Sequence, residues 1–341
     1  MSPSLRNPID RGDTPGMQTS TTALIGYGKL PVHGDFVRHN AGGSAVRALD
    51  EWLQRGLYVA KTQLGSAFDA AYDSAPAYRF LFAPREAEPA LIGVMRPSRD
   101  RSRRTFPFLI AYEAESGRLD PQQIVRMPPR NEAFLEQADA LTADVADGQV
   151  GHREIGDWLD RSGLMAAAGN GSPLAYDGFL AETTVGSLCA ECWGYFDDSR
   201  KYLLFRNLIE LLTPLKGDVP PGFTLGLRFP LGAAVTSERT AAFWLDVCFR
   251  LLGFPDVTPI CFWSNAAADA DRGSLALFFR LPPAHALIHL LSSDALENDY
   301  LCDLETMGGG SAADAALAIP QRLGSLLESE ELSLKQFLDQ L

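Results

Sequence analysis

The sequence predicts an α/β protein built on a mixed β-sheet with helices on both faces, three layers in all, and room for a second, smaller α/β lobe. Three observations predict it. Short apolar runs punctuated by Gly and Pro recur along the chain at strand length. Longer segments between many of them carry apolar residues at spacings of three and four, the period of an amphipathic helix. The runs at 78–83 and 90–97 lie close together in the chain, which implies a hairpin-like, antiparallel component.

Taken in order, residues 1–22 are rich in Ser, Thr, Pro and Asp and read as a disordered tail. Residues 23–28 read as a short strand ending in glycines. Residues 29–36 read as a loop, because Pro31 and Gly34 punctuate them. Over 44–64, Val46, Leu49, Leu53, Leu57 and Ala60 share one helical face, with Ser44 as the expected N-cap. A shorter helix is expected over 66–73. Strands follow at 78–83 and 90–97, then a basic loop at 98–104 and a strand at 106–114. Residues 118–149 contain helical stretches. Residues 151–200 read as loop-rich on their glycines. A helix is expected at 201–215, stopped at Pro214. A strand at 222–231 precedes a helix at 237–253, with Ser237 as cap and Gly253 as stop. Strands at 259–265 and 274–282, a short helix at 283–293 and an acidic helix pair over 312–341 complete the chain. The expected division is 1–22 as tail, 23–117 as an N-terminal domain and 118–341 as a C-terminal α/β region continuous with it or separate.

Composition excludes several function classes. The net charge is −13, whereas a general nucleic-acid binder carries a basic footprint. The one dense basic run holds Arg96, Arg99, Arg101, Arg103 and Arg104. Five cysteines, an odd count, argue against a disulfide framework and fit a reducing cytosol. The polar start lacks the apolar core of a signal peptide, and no run approaches the ~20 apolar residues of a spanning helix. The expectation is a cytoplasmic protein with no membrane insertion and no nucleic-acid partner.

Motifs for catalysis are weak. Gly26, Gly28 and Lys29 invite a phosphate-loop reading, but the spacing is wrong and Pro31 removes an amide that the cradle would use. His285 and His289 have metal-compatible spacing, yet no third ligand is evident and no Glu follows His285. Cys189 and Cys192 form a Cys-x-x-Cys without a second pair and without a thioredoxin-like setting, so two buried thiols are expected. No cofactor or metal is expected. The aromatics Phe243, Trp244, Phe249, Phe262, Trp263, Phe278 and Phe279 are most simply core.

The run Gly28-Lys29-Leu30-Pro31, then Gly34-Asp35-Phe36-Val37, resembles the N-terminal signature of the TagF (ImpM) family of bacterial type VI secretion. Three further blocks follow in order. Trp52-Leu53 with Gly56-Leu57 lie in the first helix. Ala75-Pro76-Ala77-Tyr78-Arg79-Phe80 matches Ala-Pro-x-aromatic-Arg-Phe. Gly93-Val94-Met95, Pro97-Ser98, Asp100-Arg101 and Arg104-x-Phe106-Pro107 match a Gly-Val…Pro-Ser-x-Asp…Arg-x-Phe-Pro block. The later half is similar mainly in Phe262-Trp263-Ser264. One departure stands out: the family usually has Gly just before Arg-x-Phe-Pro, and this chain has Arg103.

The resemblance implies a cytoplasmic, non-catalytic regulator, a repressor of secretion assembly acting after translation. Its implied partner is the forkhead-associated scaffold protein, with any serine/threonine phosphatase on a separate chain. The candidate interaction residues are Lys29, Pro31, Asp35, Phe36, Arg79, Ser98, Asp100, Arg101 and Arg104. Arg79 lies in an apolar strand and must be paired, because an uncompensated buried charge is costly; Asp35 or Asp100 is the expected carboxylate. Lys29 and the loop 99–104 are then expected either to pin loops to the sheet or to face a partner with an acidic or phosphorylated surface. Two alternatives from other classes are an enzyme acting on a phosphate-bearing ligand at Lys29, Asp35, Asp100 and Arg104, and a structural subunit bridging secretion components.

Overall fold

In the computed structural model of the chain, the described residues are 23–84, 88–114, 120–148, 155–232, 236–265, 272–292, 300–309 and 311–341. The tail expected over 1–22 lies outside them. The apolar runs form strands β1 (Leu24–Gly28), β3 (Tyr78–Phe82), β4 (Leu91–Arg96), β5 (Phe108–Glu113), β6 (Gly226–Leu231), β7 (Ile260–Ser264) and β8 (Gly273–Phe278). Two three-residue strands, β2 (Val37–His39) and β9 (Leu301–Asp303), are too short for an alternation to reveal them in sequence. The sheet order is β2-β1-β5-β4-β3-β7-β8-β6-β9. Every neighbouring pair is antiparallel except β6 and β9, so the sheet is mixed.

The strands after residue 118 extend the same sheet, through β3 against β7 with Phe80 opposite Phe262. Alternation along each strand feeds two cores, one on either face. On β5, Leu109 and Ala111 enter one core, while Phe108, Ile110 and Tyr112 enter the other. The first core is covered by α1 (Ser44–Leu64), α2 (Phe68–Ser74) and α10 (Ala286–Leu291). Trp52 of α1 stacks on Phe262 at 5.1 Å between ring centroids, tying the first helix to a strand more than 200 residues later.

The second face carries a thicker helical layer. It comprises α3 (Pro121–Arg130), α4 (Glu132–Ala146), α5 (Ile155–Arg161), α6 (Ala175–Glu182), α7 (Val185–Trp193), α8 (Arg200–Leu212), α9 (Ser237–Leu252), α11 (Ala312–Ala318), α12 (Gln321–Leu327) and α13 (Leu334–Gln340). The three-layer arrangement expected from the sequence is therefore present. All seven aromatics assigned to the core are buried.

Several local expectations are corrected. Gly43, not Ser44, occupies the N-cap of α1, and no side chain caps that end. Ser237 opens α9 as its first helical residue, its hydroxyl turned to a buried arginine rather than to the helix end. The stretch 151–200 is mostly helical among its described residues, because Gly163, Gly169 and Gly194 sit at left-handed turns between short helices. The C-terminal helix pair is three helices, two of them started by capping boxes at Ser311 and Ser333.

Candidate functional site

The motif blocks converge at one end of the sheet, where β1 and β4 stop and β2 and β5 begin. Gly28 makes this close approach feasible: its φ is +132°, and a Cβ there would lie 2.1 Å from the Pro107 carbonyl oxygen. The chain then turns through residues 29–36, anchored by fully buried Leu30 and by His33 N–H donating to Leu30 O at 2.9 Å.

Asp100 is the hub of this end. Its carboxylate is wholly buried, with Lys29 Nζ 3.1 Å from Oδ2. Oδ1 accepts the backbone N–H groups of Ser102 and Arg104, each at 2.9 Å, and Oδ2 accepts Arg104 Nε at 2.6 Å. Burial alone would raise the Asp100 pKa, but the Arg104 amide, the Lys29 ammonium and the Arg104 guanidinium outweigh it and hold it at about 2. Arg104 also reaches Gly34 O at 2.5 Å, and Arg101 N–H donates to His33 O at 2.6 Å. The two loops are thereby laced together. Ser98 is held from the other side, its backbone N–H and C=O both bonded to the buried Tyr72 hydroxyl at 3.1 and 3.0 Å. No local pattern in the sequence marks Tyr72 or His33 for these contacts.

The remaining candidates divide sharply. Lys29 is buried, with its ammonium 5.2 Å from the Phe36 ring centre, so it does not face a partner directly. Pro31 and Asp35 are exposed, and Asp35 accepts only the N–H of Phe36 next to it, at 2.8 Å. Phe36 stacks on Tyr27 at 5.5 Å and meets Phe106 edge-on at 4.9 Å, half covered beneath the Arg38 guanidinium. Arg101 and Arg104 are exposed.

Arg79 corrects the expected pairing. It engages neither Asp35 nor Asp100. Its guanidinium forms an ion pair with Glu238 on α9 and bonds Ser237 Oγ at 3.0 Å, with Asp139 of α4 at 3.8 Å. Arg96 joins through Asp139 at 2.5 Å. The cause is orientation: Arg79 lies opposite Trp263 in the sheet register, beneath the helical layer, and Trp263 belongs to the core on that face. Partners 60 and 159 positions away leave no sequence signal.

The basic loop is a tight turn. A bridge joins Arg99 to Thr105, and Arg103 N–H donates to Asp100 O at 2.8 Å. Arg103 adopts φ +64°, a left-handed conformation that suits the glycine usual there in the resembling family. Its exchange for glycine relieves strain of ~1–2 kcal/mol and loses part of that gain to chain entropy. Arg103→Gly is therefore expected to raise unfolding free energy by about 0.5–1 kcal/mol in urea titration; an unchanged or lower value would refute the strain.

Elsewhere, Cys189 and Cys192 lie on α7 and are buried, as are the other three free cysteines. Burial pushes the Cys189 thiol up to about 11 and Cys192 well above its ordinary value. Thiolate is the reactive form, so alkylation of the native protein should be at least ~100-fold slower than of the denatured chain. Rapid labelling of Cys189 in the folded state would contradict this. His285 stacks on Tyr300 at 5.0 Å, and His289 is buried. Among the described residues no group of three or more His, Cys, Asp or Glu side chains is arranged to hold a metal ion. No helix among them is long and apolar enough to cross a membrane.

Comparison with known proteins places this geometry in context. A family model described as the TagF N-terminal domain, Type VI secretion system-associated, matches residues 26–161. The crystal structure of PA0076 from Pseudomonas aeruginosa PAO1 aligns with a TM-score of 0.48 and 20% identity, over 81% of this chain and 96% of that one. No curated protein matches the chain.

Proposed function

We propose that this chain, whose residues 26–161 match the family model described as the TagF N-terminal domain, Type VI secretion system-associated, is an accessory, non-catalytic regulator of type VI secretion that acts by binding a cytoplasmic component of the system. The partner is the forkhead-associated scaffold, and the effect is repression of assembly after translation. The observation that carries the reading is the meeting of the two motif loops, residues 29–36 and 98–104, in one laced pair. There the polar atoms of Lys29, Asp100 and Arg104 engage one another, which suits a rigid presenting surface. Arg101, its guanidinium beside Gly34, is exposed there and has no ion-pair partner among the described residues. Asp35 accepts the N–H of its neighbour Phe36 and, among the described contacts, none from Lys29 or Arg104, which bond Asp100 instead; this favours the binding reading over a single four-residue constellation.

The test is affinity capture of the tagged protein from a type VI-positive bacterial lysate, beside Arg101→Glu. Arg101 is the residue to change because it is exposed, whereas altering buried Lys29 would perturb folding. Capture of the scaffold by the parent and its loss with the folded variant is the expected result. Failure to capture any secretion component after crosslinking would sink the reading.

A further inference from the structure

We propose that the open depression between the C-terminal turn of α1, α2 and the basic loop is a docking site for an acidic, Asp/Glu-rich segment of a partner protein, with Arg103 as a contact residue; this deepens the preceding reading and rests on its premise of protein binding. The depression encloses about 480 Å³ and is bordered by Lys61, Arg99, Arg103 and Arg104, against two acids, Asp69 and Asp73. Both acids are already taken by Arg99, at 2.8 and 2.9 Å. The acid within the loop, Asp100, is turned inward to Lys29 and Arg104. Lys61 and Arg103 are thus exposed cations with no ion-pair partner among the described residues, on a chain whose net charge is −13.

Two properties make this more than a charged surface. The turn is preorganised by the Asp100 hydrogen bonds and the 99–105 bridge, so little entropy is lost when a ligand meets it. And Arg103 keeps its exposed guanidinium at φ +64°, where a glycine would sit without strain. Strain held at an exposed position in a rigid loop points to use of the side chain. The cations are spread along the rim, without a buried, convergent set of donors. Several spaced carboxylates match that distribution better than one phosphate dianion, which favours bidentate, convergent recognition. At ~0.1 M salt the screening length is about 10 Å, so an approaching segment feels this local surplus rather than the distant negative charge.

The experiment is fluorescence anisotropy of the purified full chain with a labelled peptide alternating Glu and Gly. A Gln-for-Glu peptide and a peptide bearing one phosphothreonine and no Glu are run beside it. The Glu peptide should bind, the Gln peptide should not, and affinity should fall as salt is raised. Arg103→Gly should weaken binding by about five- to tenfold while melting no lower than the parent, and Lys61→Glu should weaken it by about tenfold. Because Arg103→Gly relieves strain, its loss of affinity cannot be ascribed to misfolding. No binding by the parent, tighter binding of the phosphothreonine peptide, or equal binding by Arg103→Gly each overturns the proposal. The two readings fail separately. If the scaffold is captured equally by parent and Arg103→Gly, this surface is wrong and the regulator reading stands. If the Glu peptide binds but no secretion component is captured, the surface stands and the regulator reading falls.

Discussion

Glu238→Ala is expected to lower unfolding free energy by about 3–5 kcal/mol, the usual consequence of stranding one member of a buried ion pair. Arg79 is 7% exposed and Glu238 2% exposed. Removing the carboxylate leaves the guanidinium with Ser237, a long contact to Asn265 and the more distant Asp139, which Arg96 already engages. Burial raises the Glu238 pKa and Arg79 opposes the rise, so the pair is held together by the mutual attraction of two costly charges. For 341 residues the unfolding entropy is ~0.7 kcal/mol/K, roughly 1.4 °C per kcal/mol, so the melting temperature should fall by about 4–7 °C. The paired replacement Arg79→Met with Glu238→Leu distinguishes charge from packing. It should recover most of the loss, because apolar groups of similar volume need no partner. A single Glu238→Ala variant melting within a degree of the parent would remove the pair from any stabilising role.

The second large effect is at Asp100. Asp100→Asn is expected to cost about 2–4 kcal/mol, since Lys29 is left buried without a counter-charge and one oxygen acceptor is lost. The parent should also show a matching acid dependence. The folded pKa is about 2 and the ordinary value 3.8, so the group is depressed. Its contribution, roughly 2–3 kcal/mol, is fully present above about pH 5 and is lost as pH falls through about 2. Urea melts between pH 5 and pH 2 of parent and Asp100→Asn test this. The gap between them should narrow with acid. A gap that stays constant would mean that the carboxylate's charge is irrelevant to the fold.

The two clusters also show what was legible beforehand. Arg79 was recognised as needing a partner, because an arginine inside Tyr78–Phe82 has no other way to be buried. Its partner is Glu238 of α9 rather than the motif acids Asp35 or Asp100, which stand closer in the chain. For Lys29 the sequence leaves two outcomes open, pinning the loops or facing a partner, and the structure takes the first: it follows the last residue of β1 and its ammonium is buried against Asp100. Arg103 in place of a glycine was visible as a departure, and the structure gives it a meaning through its φ of +64°.

By itself the sequence determined the α/β class, most strand and helix positions and the buried thiols. Those properties follow from local periodicity, turn chemistry and residue type, which act over a few positions. The tertiary structure decided the rest: the joining of β3 to β7, the pairing of Arg79 with Glu238 and the inward turn of Lys29 to Asp100. It also decided which arginines of the basic loop remain outside. Each of these depends on which sheet face a side chain occupies and which distant helix covers that face, and neither is written within the reach of a local pattern.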